Sequence, residues 1–213
     1  MFFIYDEIHM SPSLFISYLL FCLVMTSTPG PNNALVLISG ARFGLQKTLP
    51  LILGIAFGVA FQLMAIGLGL HQVFLHFPQF QSILSLIGSA YILWLVWKIA
   101  SSGPLNARLD EKPAMGFLQG AVFQWLNPKA WMTSISTITT YFAASQRSTD
   151  IAYAAFILIL ISIPCVGIWA IAGKFLRQLL IQAKFAFIFN LSMAIALLIA
   201  VLPVCFQFIT LQP

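Results

Sequence analysis

The chain has 213 residues, of which 61% are hydrophobic and 7% charged, with a mean hydropathy of +0.98 and a formal net charge of +5. Soluble domains carry roughly 25% charged residues, so the composition excludes a soluble enzyme or binding module. It selects an all-α integral membrane protein forming one domain over residues 1–213.

In chain order, six apolar stretches approach the roughly 20 residues that a helix needs to cross a bilayer. The first, about 12–41, follows a segment holding Asp6 and Glu7 but no basic residue and no small-x-small cleavage site, so it is expected to be a retained helix and not a signal peptide. It is interrupted by "TPGPNN", Thr28 to Asn33. The second covers about 48–70, and the third about 79–100, where Trp94, Trp97 and Lys98 read as an interfacial anchor. A polar loop, 101–115, follows. The fourth stretch, about 116–145, is interrupted at "LNPK", Leu126 to Lys129. The fifth and sixth cover about 151–173 and 185–210. A transmembrane β-barrel would need short alternating segments instead. Gly40 and Gly44, and Gly54 and Gly58, have the four-residue spacing of close helix packing. Cys22, Cys165 and Cys205 stand singly with no CxxC pair, which argues against a zinc site, and no cofactor is expected.

Eight of the ten basic residues fall on alternate connections: Arg42 and Lys47, then Lys98, Arg108 and Lys112, then Lys174, Arg177 and Lys184. Basic residues accumulate on the cytoplasmic side, so this pattern predicts six spans with both termini outside. It also accounts for the net charge without a nucleic-acid partner. The expected surroundings are a lipid bilayer, with a homo-oligomer left open.

The two interruptions mirror each other. Proline suits the first turn of a helix, so new helices are predicted to start at Pro31, after Pro29 and Gly30, and at Pro128, after Asn127. Each break opens a group of three spans. The prediction is two inverted three-helix repeats, about 12–100 and 116–210, with helices one and four broken. A helix begun within the membrane leaves its first N–H groups unpaired and carries a partial positive charge, which suits an anion. Lys129 lies in such a first turn, and no acidic residue lies in any apolar stretch to pair with it. The partner predicted for it is a ligand carboxylate. The candidate substrate site is therefore Pro29, Gly30, Pro31, Asn32, Asn33, Asn127, Pro128 and Lys129. Gln62 and Gln124 are candidates for lining the path, with an interhelix hydrogen bond as the equal alternative.

At these residues the chain resembles the LysE/RhtB family of bacterial amino-acid exporters. "TPGPNN", "LNPKAW" and "GSAYILWLVWKIASS" carry the resemblance, in order and over essentially the whole chain. It implies an inner-membrane transporter that exports small amino acids or derivatives, not an enzyme, with the proton as the usual coupling ion. Many family members carry Asp after the PGP triplet where this chain has Asn32, so a proton relay through an acid at that position is not expected. The "PGPNN" form is similar to the branch that exports cysteine or O-acetylserine. Two other classes stand beside this reading. One is a membrane hydrolase using Lys129 with Thr133 or Ser134. The other is a passive small-solute pore.

Overall fold

A computed structural model describes residues 11–70, 76, 78–105, 113–142 and 148–210. Among these the chain is helical throughout, with seven α-helices and no strand. They are α1 (Pro12–Ser27), α2 (Pro31–Ala65), α3 (Pro78–Ala100), α4 (Phe117–Phe123), α5 (Pro128–Ser136), α6 (Ser148–Leu180) and α7 (Ala183–Thr210). A π-helical turn, Ile66–Leu70, extends α2. A 3-10 turn, Gln124–Leu126, extends α4, and a second π-helical turn, Thr137–Tyr141, extends α5.

Helix α2 is a hairpin and not one rod. Gly44 lies at φ 78, the left-handed region that favours glycine, and a Cβ there would meet nothing within 4 Å. Ser39 and Thr48 share a hydroxyl–hydroxyl hydrogen bond of 2.9 Å. Nine residues along one straight helix would be about 13.5 Å apart, so the limbs 31–43 and 45–65 fold back on each other. Gly44 is thus the residue of the turn. Gly54 and Gly58 do serve close packing: a Cβ on Gly54 would fall 2.0 Å from the Phe117 carbonyl oxygen, and one on Gly58 would fall 2.6 Å from Ala121.

These glycines seat α4 against the second limb of α2. By the same device Gly40 lies against Ala170 and Gly173 against Leu37, joining the first limb to α6. Helix α1 packs on α6, and α3 packs on α7. Two buried clusters fix the centre. Val36, Leu51, Ile52, Ile55, Val166 and Ala170 lock α2 to α6, while Tyr18, Cys22, Val59, Ala130 and Leu158 join α1, α2, α5 and α6.

The outward faces are apolar. Leu20 and Val24 on α1, Leu118 on α4, Phe175 on α6 and Ile199 on α7 are all exposed, Phe175 to 76%. A water-soluble monomer does not present such continuous apolar surface; hydrocarbon chains solvate it without cost. Pro31–Leu70 and Ser148–Leu180 each contain an 18-residue stretch apolar enough for a bilayer-crossing helix, with mean hydropathies of 2.3 and 2.5 over those stretches. The Lys98 ammonium lies 4.6 Å from the Trp94 ring centroid, an arrangement suited to a membrane–water boundary. Asp150, just before the fifth apolar stretch, sits buried in the first turn of α6, where the helix dipole favours a carboxylate. Arg108, Lys112 and Arg147 lie outside the described residues, as do both extreme termini.

Candidate functional site

The end of α1 and the starts of α2 and α5 converge on one pocket, with α6 along its flank. Thr26, Gly30, Asn32, Asn33, Asn127, Lys129, Thr133 and Ser162 supply its polar lining; Val59, Leu158 and Val166 supply an apolar side. Among the described residues no carboxylate lines it.

Ending α1 at Ser27 leaves carbonyl groups without helical partners, and lipid offers them no donor. Protein donors take several of them. Asn33 Nδ2 donates to the carbonyls of Thr26 (2.9 Å) and Thr28 (2.8 Å). Trp169 Nε1 donates to that of Ser27 at 3.2 Å. Lys129 Nζ donates to the Thr28 carbonyl at 2.9 Å, the Thr28 hydroxyl at 2.7 Å and the Pro29 carbonyl at 3.3 Å.

Lys129 therefore has protein partners that sequence reasoning missed. The search had been for a carboxylate, whereas the negative pole is the C-terminus of α1. A lysine there is favoured by that helix's dipole, although it stands at the unfavourable end of its own helix. Its side chain crosses directly over Gly30. A Cβ on Gly30 would lie 3.1 Å from Lys129 Cδ and 3.3 Å from Nζ, so glycine at this position makes room for the lysine.

The two helix starts differ in their caps. Gly30, the N-cap of α2, has no side chain to offer, and no side-chain cap bond is made. Pro31 brings no N–H, which leaves those of Asn32 and Asn33 facing out of the helix end. At α5, by contrast, Asn127 Oδ1 accepts from Lys129 N at 3.1 Å. The Asn127 carbonyl also accepts from Ala130 N at 3.0 Å and Trp131 N at 3.3 Å.

Behind the pocket runs a chain of amides. Asn32 and Gln124 bond reciprocally, Nδ2 to Oε1 and Nε2 to Oδ1, each at 3.0 Å. Gln62 Nε2 donates to the Gln124 carbonyl at 3.2 Å, and Ser134 Oγ donates to Gln62 Oε1 at 3.4 Å. Gln62 and Gln124 are fully buried and do not line the pocket; they make the interhelix bonds that were the alternative to a path-lining role. Pro29, Pro31 and Pro128 shape the backbone and offer no pocket donor. The hydrolase reading fails on this geometry: Lys129 Nζ is held by Thr28 and Pro29, Ser134 by Gln62, and Thr133 Oγ1 donates to the Lys129 carbonyl at 2.8 Å.

Residues 23–207 match the LysE type translocator family, and the chain belongs to it. It is similar to a cysteine/O-acetylserine efflux protein of Klebsiella pneumoniae, 32% identical over 80% of this chain and 87% of that one. It is also similar to proteins of the same description in Salmonella paratyphi A, 28% identical over 79% and 87%, and in Escherichia coli, 28% identical over 81% and 89%. No solved structure matches the chain. Relatives of this kind are transporters, not enzymes.

Proposed function

We propose that this LysE-family translocator exports a small neutral amino acid or derivative of the cysteine or O-acetylserine class across the bacterial inner membrane. The observation that carries the reading is the uncapped start of α2 opening into a pocket beside the Lys129 ammonium. The substrate carboxylate accepts from the Asn32 and Asn33 N–H groups, with the charge of Lys129 alongside. Lys129 need not leave Thr28 to act, because its field reaches the pocket it lines. The apolar wall of Val59, Leu158 and Val166 suits a short uncharged side chain. A second cationic group on the substrate would meet Lys129 with no pocket acid to offset it.

The six-span, inverted-repeat reading belongs to the same proposal. If the limbs of α2 are counted separately, α1 packs on α6 as α4 packs on the second limb of α2, and α3 pairs with α7. Exchanging the first three spans for the last three turns the first of these pairings into the second and the third into itself. Both termini then lie outside. A reporter fused after Pro213 should be active only in the periplasm; a cytoplasmic signal there would remove the inverted-repeat model. Function is tested by counterflow in proteoliposomes. Saturable exchange of labelled cysteine, competed by O-acetylserine and other neutral amino acids but not by lysine, is expected. Non-saturable leak without counterflow would show a pore instead.

A further inference from the structure

We propose that Asn33 recognises the substrate's amino group, so that a free α-ammonium is a requirement for binding. The inference rests on the carboxylate site described above and adds the second half of the zwitterion.

Asn33 is 2% exposed and lines the pocket. Both hydrogens of its amide are committed, since Nδ2 donates to the Thr26 and Thr28 carbonyls. This fixes which way the amide faces: exchanging N and O would set the oxygen against two carbonyl oxygens. Oδ1 is left buried with no hydrogen-bond partner. An unmet buried acceptor is costly, and the Lys129 ammonium that lines the same pocket already directs its three hydrogen bonds at Thr28 and Pro29.

A ligand bringing both a carboxylate and an ammonium resolves the two shortages together. Its carboxylate meets the start of α2, and its ammonium meets Oδ1. Both contacts then involve Asn33, one through its backbone and one through its side chain. This close spacing matches the α-amino acid arrangement, in which the two charged groups share one carbon.

The test is competition against labelled L-cysteine on the purified, reconstituted protein. The competitors are L-cysteine, 3-mercaptopropionate (no amine), N-acetyl-L-cysteine (amine acylated) and cysteamine (no carboxylate). Loss or acylation of the amine is expected to weaken binding about tenfold or more, the scale of a charged hydrogen bond. Asn33→Ala should shrink that discrimination toward unity. If 3-mercaptopropionate competes as well as cysteine, the amine is not read and the inference falls, while the carboxylate site stands. Discrimination that survives Asn33→Ala also overturns it. Cysteamine competing as well as cysteine would instead strike the carboxylate reading itself.

Discussion

At the first break three residues, Thr28 to Gly30, separate α1 from α2, whereas at the second Asn127 alone stands between the 3-10 end of α4 and the start of α5. Both new helices begin with proline. At the second break the N-cap side chain turns back and takes the first free N–H, so the helix end is closed by its own neighbour. At the first, the N-cap is Gly30 and the helix end stays open. The two facts are linked through Lys129. The second break projects that lysine across Gly30 to bind the end of α1, and a Cβ at position 30 would crowd it by a few tenths of an ångström. One break supplies the charge and the other supplies the free N–H groups. A pair of similar sequence motifs has thus become two unlike helix starts around one pocket.

The largest effect that probes this division is expected from Lys129→Met. The variant removes the charge and every hydrogen bond from Nζ to the first break. Substrate affinity should fall by about 1.5–3 kcal/mol, the range for hydrogen bonds to charged groups, and thermal stability in detergent should fall as well. Lys184→Met, an exposed position on α7, should change neither. Unaltered affinity in Lys129→Met would make both breaks merely structural.

A smaller effect is expected from Asn32→Leu, which leaves the fully buried Gln124 amide without its reciprocal partner. The cost should be about 1–3 kcal/mol of stability, read from the unfolding transition. Gln124→Leu in the same background should add less than it does alone, because the two amides share one pair of bonds. Strict additivity would show that the reciprocal pair does not couple α2 to α4. The smallest effect belongs to Asn127→Ala. Losing an N-cap costs about 1 kcal/mol, so the unfolding temperature should drop modestly, with cysteine affinity changed less than threefold. A loss of binding as large as that of Lys129→Met would mean that the second break also holds substrate directly, and the contrast between the breaks would be wrong.

What the sequence by itself determined is local or compositional. Hydropathy placed the chain in a membrane, and proline following Gly30 or Asn127 marked where α2 and α5 begin. A helix start is set by the few residues whose N–H groups it leaves free. Gly54 and Gly58 were legible as a packing face for the same reason: spacing alone puts them on one side of a helix. Gly44 shared that spacing with Gly40 and yet proved to be a turn, since periodicity cannot tell a helix that continues from one that reverses. Only the tertiary structure decided the partners. It seated Lys129 on carbonyls roughly a hundred positions earlier in the chain, joined Gln62 and Gln124 behind the pocket, and left Asn33 Oδ1 as the unmatched acceptor. Each of these depends on which helix ends the packing of α1, α2 and α5 against α6 brings within about 3 Å, the reach of a hydrogen bond. A backbone carbonyl that serves as an ion's partner has no signature in side-chain identity, so no reading of residue types could have found it.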